Sequence, residues 1–155
     1  MKGALVGGLV GGALMAVFMT LMNLVQGQDV WMGLKGPAAP FIGDAAMQPG
    51  FDGNVVLGAL SHFAVAIAWA IPFALLGFGL AKGPTVALGV AWGILVWLAM
   101  TFVVLPIVGL GAMKPMMLTA PMAFEHLLYG LGLAAGLLPY QVVHTVRAPL
   151  RYSTP

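Results

Sequence analysis

The sequence contains no cysteine and few charged residues: six Lys or Arg and four Asp or Glu in 155 residues. The absence of cysteine excludes disulfides, thiolate metal sites and cysteine nucleophiles. A net charge of only +2 gives no basic surface of the kind that binds nucleic acid. Charged residues make up about a quarter of a soluble domain, whereas here they are 6% and hydrophobic residues are 61%. We therefore predict an integral membrane protein.

Four long apolar stretches are present. A bilayer core about 30 Å thick requires roughly 20 apolar residues in a helix. The stretches that satisfy this requirement are 3–25, 55–81, 84–111 and 119–143. We predict that residues 1–155 form a single membrane domain, an all-α bundle of four transmembrane helices in contact with the lipid bilayer.

The positions of Lys and Arg predict the orientation, because cytoplasmic loops carry an excess of these residues. One predicted side holds Lys2, Lys82, Arg147 and Arg151, and the other holds Lys35 and Lys114. This asymmetry predicts a protein of the cytoplasmic membrane with both termini in the cytoplasm. The outer side then carries a long loop over residues 26–54, whose Gly and Pro content favours a lid or a partner-binding surface.

Local signals indicate where the helices begin and end. Asn54 and Thr119 are suited to cap the second and fourth helices. The Gly83-Pro84 dipeptide is expected to separate the second helix from the third, which makes these two an antiparallel hairpin. Pro72 lies inside the second helix and favours a kink there.

The sequence also suggests an internal repeat. The first helix aligns with the third, and the second with the fourth, each pair at a constant spacing. The paired positions include Gly8 with Gly89, Gly12 with Gly93, His62 with His126 and Ala66 with Gly130. Two interpretations are open: two repeated helical hairpins of the same topology, as known in transporters, or chance matches in a sequence of few residue types.

Glycine is concentrated on the first helix. These residues are Gly3, Gly7, Gly8, Gly11 and Gly12. Small residues allow the close backbone approach on which helix association in lipid depends. The glycines either pack the four-helix bundle within the chain or form a face that docks a partner subunit or a second copy in a homo-oligomer.

The second and fourth helices carry histidines, His62 and His126, each roughly 10 Å from the outer start of its helix at 1.5 Å per residue. Ionisable residues inside a membrane face the bundle interior. One hypothesis is structural, with each imidazole bonded to a neighbouring carbonyl or hydroxyl. A second is a bis-histidine heme b site, in which Gly58, Ala66 and Gly130 leave room for the porphyrin.

A third hypothesis is a soft-metal site. Met116, Met117 and Met122 lie near His126 in the sequence, and His62 is expected at the same depth. Thioether and imidazole ligands suit Cu(I). The alternative is that the methionines are flexible apolar filling.

No catalytic constellation is found. The sequence has no nucleophile–base–acid arrangement, phosphate loop or zinc-protease motif, which favours a non-enzymatic role. Glu125 is the only carboxylate within a predicted span. We expect it either to pair with Lys114 or to be buried as a neutral acid.

Several segments resemble small YagU-like membrane proteins of bacteria and archaea. They are MTLMNLV at the end of the first helix, LPIVGLG at the end of the third and HLLYGLGLA in the fourth. The resemblance implies a four-helix membrane fold with histidines at the positions of His62 and His126, and it implies no settled activity. We expect an accessory or structural subunit of a larger membrane complex, with heme b or a metal between these histidines. The alternative is a small homo-oligomeric transporter of a solute, proton or metal.

Overall fold

The computed structural model describes residues 1–141, and regular secondary structure in this part of the chain is helical. Four helices are long and apolar enough to cross a membrane: α1 Lys2–Val25, α2 Gly53–Gly77, α3 Lys82–Ile107 and α4 Ala120–Tyr140. The predicted all-helical chain with four such helices is confirmed. Residues 142–143 of the predicted fourth helix, together with Arg147 and Arg151, lie outside the described residues.

Residues 26–52 join α1 to α2 and contain short helical turns, among them Met32–Lys35 and Ala39–Ile42. We call this segment the lid, and the end of the bundle that carries it the lid end. The loop over residues 108–119, between α3 and α4, lies at the same end, and we call it the short loop. The opposite end, where residues 78–81 join α2 to α3, is the turn end.

The helix caps differ from the predicted ones. The N-cap of α2 is Asp52, not Asn54, and the Asp52 carboxylate accepts a hydrogen bond from the Asn54 backbone N–H at 2.8 Å. Thr119 is at the N-cap of α4 but makes no side-chain cap. Its hydroxyl donates instead to the Met116 carbonyl at 3.0 Å, which holds the end of the short loop.

The break between α2 and α3 also lies earlier than predicted. Gly83 and Pro84 are in the first turn of α3, where a proline costs no helical hydrogen bond because the first N–H groups of a helix are unpaired. The chain turns at residues 78–81, and Gly79 has a φ of 81°, which favours glycine because side chains with a Cβ rarely adopt it. The predicted hairpin is present, but its turn precedes the Gly-Pro pair.

α4 is the central helix of the bundle, because it packs along α1 on one side and α3 on the other. Towards α3, Gly130 lies so close to Gly89 that a Cβ on either residue would collide with the carbonyl oxygen of the other. Towards α1, Gly132 and Gly136 lie against the backbone of Gly11 and Gly7 respectively. Lipid provides no hydrophobic drive for helix association, so these contacts place both neighbours of α4.

The glycines of α1 are used within the chain. Besides the contacts with α4, Gly8 lies against Ile67 and Gly12 against Phe63, both on α2, and Gly3 lies against Leu137 on α4. All five glycines are buried. The interpretation of this glycine face as a docking surface for a partner subunit or a second copy is therefore wrong, and the alternative of packing within the bundle applies.

Positions paired by the suggested repeat make matching contacts. Gly8 of α1 lies against the backbone of Ala66 on α2, and Gly89 of α3 lies against the backbone of Gly130 on α4. The correspondence fails at one interface. The contact of α1 with α4 is extensive, whereas the equivalent contact of α3 with α2 is sparse. The bundle is therefore only loosely closed between α2 and α3.

α2 and α3 are held together in the middle of the bundle and at the turn end. The Trp92 indole N–H donates to the Trp69 carbonyl at 3.1 Å, and Gln141 donates to the last carbonyl of α2, that of Gly77, at 2.8 Å. Between these two ties lies a buried core that includes Phe73 and Leu133. The turn-end half of the bundle is thus packed, whereas the lid-end half is not closed in the same way.

We expect Gly130→Ala to destabilise the bundle by about 1–3 kcal/mol, the usual cost of overpacking, because backbone atoms of α3 cannot yield to the added methyl group. Gly83→Ala is the matched control, since a Cβ at Gly83 meets no atom within 4 Å. Thermal unfolding in detergent measures both variants. Equal melting temperatures for the two would contradict the proposed role of the α3–α4 contact.

Candidate functional site

A cavity of about 1060 Å³ occupies the lid-end half of the bundle. All four long helices, the lid and the short loop contribute to its walls. Every methionine of the chain except Met1 lines it. Its walls are predominantly apolar, and a large apolar cavity with few polar groups is typical of sites for organic ligands.

A hydrogen bond between α4 and α2 forms the floor of this cavity. The Tyr129 hydroxyl donates to the Ala66 carbonyl at 2.6 Å, and the Tyr129 ring packs where Gly11 of α1 has no side chain. His62 and His126 lie one helical turn closer to the lid end and also line the cavity. The structure therefore brings the two predicted histidines into the same site, just above its floor.

Each histidine bonds to a backbone carbonyl. Nε2 of His62 lies 2.9 Å from the Gly12 oxygen of α1, and Nδ1 of His126 lies 2.8 Å from the Met122 oxygen of its own helix. A carbonyl only accepts hydrogen bonds, so each of these ring nitrogens carries a proton. In the neutral ring, Nδ1 of His62 and Nε2 of His126 then keep a free lone pair.

The hydroxyls of Ser61 and Thr101 do not bond to the histidines. Ser61 donates to the Leu57 carbonyl at 2.8 Å, and Thr101 donates to the Trp97 carbonyl at 2.7 Å. Both are bonds within one helix. The histidine lone pairs thus have no hydrogen-bond partner among residues 1–141.

Glu125 is the third polar group of the site. Its side chain lines the cavity and is 7% exposed, and its Oε2 has no hydrogen-bond partner within the described part of the chain. Of the two alternatives expected for Glu125, burial of the side chain is observed, and the pairing with Lys114 is not. The Lys114 ammonium lies instead over the Phe102 ring, 5.8 Å from the ring centroid.

The small residues predicted to flank a porphyrin are not gathered at the site. Gly58 lies against the Leu34 carbonyl of the lid, so it serves to dock the lid on α2. Gly130 packs directly against the backbone of Gly89 on α3. Of the three residues only Ala66 lines the cavity, and this separation weighs against a heme between the histidines.

The predicted soft-metal ligands all lie at the same cavity. His62, His126, Met116, Met117 and Met122 all line the cavity. No group of three or more His, Cys, Asp or Glu residues suited to hold a metal occurs in the described residues. A metal ion here would therefore depend on thioether sulfur in addition to imidazole nitrogen.

A widened turn in α3 contributes to the cavity and was not predicted. Residues Met100–Val104 form a π-helical segment, and both end residues of this segment line the cavity. Such segments occur often at functional sites. Pro106 was the available signal, because its ring cannot fit against the carbonyl four residues earlier in a regular helix.

Two carboxylates, of Asp29 and Asp52, accept hydrogen bonds that hold different parts of the lid together. Asp29 accepts hydrogen bonds from the backbone N–H groups of Gly50 and Trp31, which hold its pKa below the ordinary value. The Lys35 ammonium, which is fully buried, donates to the Asp52 carboxylate at 3.1 Å and to the Gln48 carbonyl at 2.7 Å. The hydrogen bond from Lys35 likewise holds the pKa of Asp52 below its ordinary value.

We expect acid to loosen the lid. Because both pKa values are lowered by folding, these carboxylates stabilise the closed lid fully above the ordinary pKa of 3.8 and lose that effect as the pH falls through the lowered values. Asp52→Asn should loosen the lid at neutral pH, whereas Asp44→Asn, at an exposed lid residue, should not. Hydrogen–deuterium exchange of the lid amides measures this, and unchanged exchange in Asp52→Asn would contradict the assigned role.

Comparison with known proteins assigns the chain to a family. The family model described as "Family of unknown function (DUF6789)" matches residues 1–146. No curated protein and no solved structure matches the chain. The resemblance to YagU-like membrane proteins is not tested by this match and stays a prediction. Because the matched region covers nearly the whole sequence, the chain belongs to the family of unknown function DUF6789.

Proposed function

We propose that this protein is an integral membrane protein that holds an apolar guest molecule in its lid-end cavity, as an accessory subunit of a larger membrane complex. The cavity itself carries the proposal. A volume of about 1060 Å³ with mainly apolar walls suits an organic molecule of lipid or cofactor size. Methionine side chains are flexible and polarizable, so they can adapt to such a guest.

We further propose that the protein lies in the cytoplasmic membrane with both termini in the cytoplasm. The turn end carries Lys2 and Lys82, and the C-terminal residues Arg147 and Arg151 follow α4 in the sequence. The lid end has fewer basic residues, and Lys35 there is paired with Asp52. The excess of Lys and Arg at the turn end supports a cytoplasmic position for it.

A duplicated helical hairpin explains where the cavity lies. If α1–α2 and α3–α4 are the two copies, the α1–α4 interface has α3–α2 as its counterpart. The first is held by glycine contacts and the second is sparse. The proposed guest site therefore lies on the side of the bundle where the two copies are packed differently.

Heme b is less well supported as the guest than a lipid-like molecule. The backbone of the lid fills the space beside Gly58, and the backbone of α3 fills the space beside Gly130, so neither glycine leaves room for a porphyrin. Lys35, one of the two basic residues near the lid end, is buried in its contact with Asp52 and cannot meet a heme propionate.

Cu(I) binding is the second candidate function. The observation that favours it is the convergence of the methionines and both histidines on one cavity, since thioether and imidazole are ligands that suit Cu(I). A single ion needs only a small part of a cavity of this size, which is why the organic guest is preferred.

Holding a guest is better supported than moving it across the membrane. The large cavity ends at Tyr129 and Trp69, and a smaller one of about 280 Å³ lies at the turn end. Buried core residues, Ala70, Phe73 and Leu133, lie between them. A transporter would have to open this packed layer.

We expect the protein, purified in mild detergent, to retain an organic guest that native mass spectrometry detects. Ala64→Trp should displace it, because Ala64 is exposed and lines the cavity. Ala68→Trp is the matched control on the same helix, since Ala68 is exposed but does not line the cavity. The retained mass should disappear only in the first variant.

The same sample separates the alternatives. A Soret absorption band would replace the proposal by the heme hypothesis, and copper in elemental analysis without an organic guest would replace it by Cu(I) binding. If Ala64→Trp and Ala68→Trp retain equal amounts of guest, the molecule is bound outside the cavity and the proposal is overturned.

The proposed orientation can be tested directly, because the chain has no cysteine of its own. Ala45 in the lid and Ala81 at the turn end are both exposed. In spheroplasts, a membrane-impermeant maleimide should label Ala45→Cys at once and Ala81→Cys only after the membrane is permeabilised. The reverse pattern would contradict the orientation.

A further inference from the structure

Among the groups that line the cavity, two imidazole nitrogens and one carboxyl oxygen have no hydrogen-bond partner within residues 1–141, and each can accept a hydrogen bond. They are Nδ1 of His62, Nε2 of His126 and Oε2 of Glu125. The Gly12 and Met122 carbonyls fix the protons of the two imidazoles on the other ring nitrogens. Neutral imidazole in this state offers only a lone pair at the remaining nitrogen.

The hydroxyls of Tyr129 and Ser61, on the cavity floor and wall, do not bond to these groups. The Tyr129 hydroxyl donates to Ala66 on the cavity floor, and Ser61 donates within its own helix. The Trp69 side chain lines the cavity wall above the core. A buried polar group without a hydrogen bond costs about 1–3 kcal/mol, and the Glu125 oxygen is such a group within residues 1–141, so a guest that donates hydrogen bonds would gain from these acceptors.

The helices α2 and α3 make few contacts with each other, and apolar residues line the cavity on this side. Leu60 and Val65 of α2 and Val108 after α3 line the cavity and are large, exposed apolar residues. These helices are joined at the turn end but make few contacts with each other elsewhere. An apolar chain can therefore extend from the floor between α2 and α3 towards the surrounding lipid.

We propose that the guest is a membrane-soluble hydroquinone, with its hydroxyl-bearing ring near His62, His126 and Glu125 and its apolar chain extending between α2 and α3. This inference rests on the proposed function and names the chemical class of its guest. A hydroquinone is neutral, which lowers the cost of burial in lipid, and it carries two O–H donors. The corresponding quinone has carbonyl oxygens only, which cannot donate to the imidazole lone pairs.

The test compares two probes, decylhydroquinone and its dimethyl ether, in which methyl groups replace the two O–H hydrogens. Both are titrated anaerobically against the purified protein. Quenching of tryptophan fluorescence reports binding, because Trp69 lines the cavity, and Trp69→Phe identifies its share of the signal. We expect the hydroquinone to bind about fivefold more tightly than the ether, the factor that one hydrogen bond of about 1 kcal/mol supplies.

Side-chain variants assign the preference to the site. His126→Leu removes one of the three acceptors, a nitrogen lone pair with no partner within residues 1–141, and should weaken the preference for the hydroquinone. Ser61→Ala is the matched control, since the Ser61 hydroxyl lines the cavity but is already bonded to Leu57, and it should keep the preference. Loss of the preference in Ser61→Ala to the same extent would overturn the assignment.

Failure of this inference is distinguishable from failure of the proposed function. If the wild-type chain binds the hydroquinone and the dimethyl ether equally well, the cavity holds apolar guests but the donor requirement is overturned. If neither probe binds and no guest is retained on purification, both the inference and the proposed function are overturned. The comparison of probes uses the unmodified chain, so it does not depend on any variant folding.

Discussion

In lipid, burying apolar side chains between helices provides no hydrophobic drive for their association, so this bundle depends on close backbone contact through glycine. Gly130 brings α3 against one side of α4, and Gly132 and Gly136 bring α1 against the other. Dispersion forces and weak backbone contacts act only at such short range. α4 lies between α1 and α3 because its own glycines contact both of these helices.

The same constraint explains the cavity. α2 is held to α1 through Gly8 and Gly12 of α1, but no comparable glycine contact joins α2 to α3 among the described residues. Trp69, Trp92 and Phe73 fill the space between these helices near the middle of the bundle. Towards the lid end these aromatic side chains no longer fill the space, and methionine side chains line the cavity walls instead. The site thus arises where close packing ends.

Polar groups are few in the long helices, and most bond to a carbonyl of the backbone. Thr85, Thr101 and Ser61 all do so within or next to their own helices. Against this background, Oε2 of Glu125 and the two imidazole lone pairs are acceptors that have no partner in the described part of the chain. Their common position in one cavity is the reason to assign a function to them, since in lipid an unbonded polar group is costly.

The sequence by itself determined the four helices of spanning length, because an apolar run of about 20 residues in a nearly uncharged chain has few alternatives. It also identified the two histidines and the methionines as the residues of interest. Only the tertiary structure decided that Gly58 docks the lid, that Gly130 packs against α3, and that Lys35 is buried against Asp52. The physical reason is that glycine and lysine have many roles in a membrane bundle, and the neighbouring backbone selects among them. Hydropathy carries no information about that neighbour.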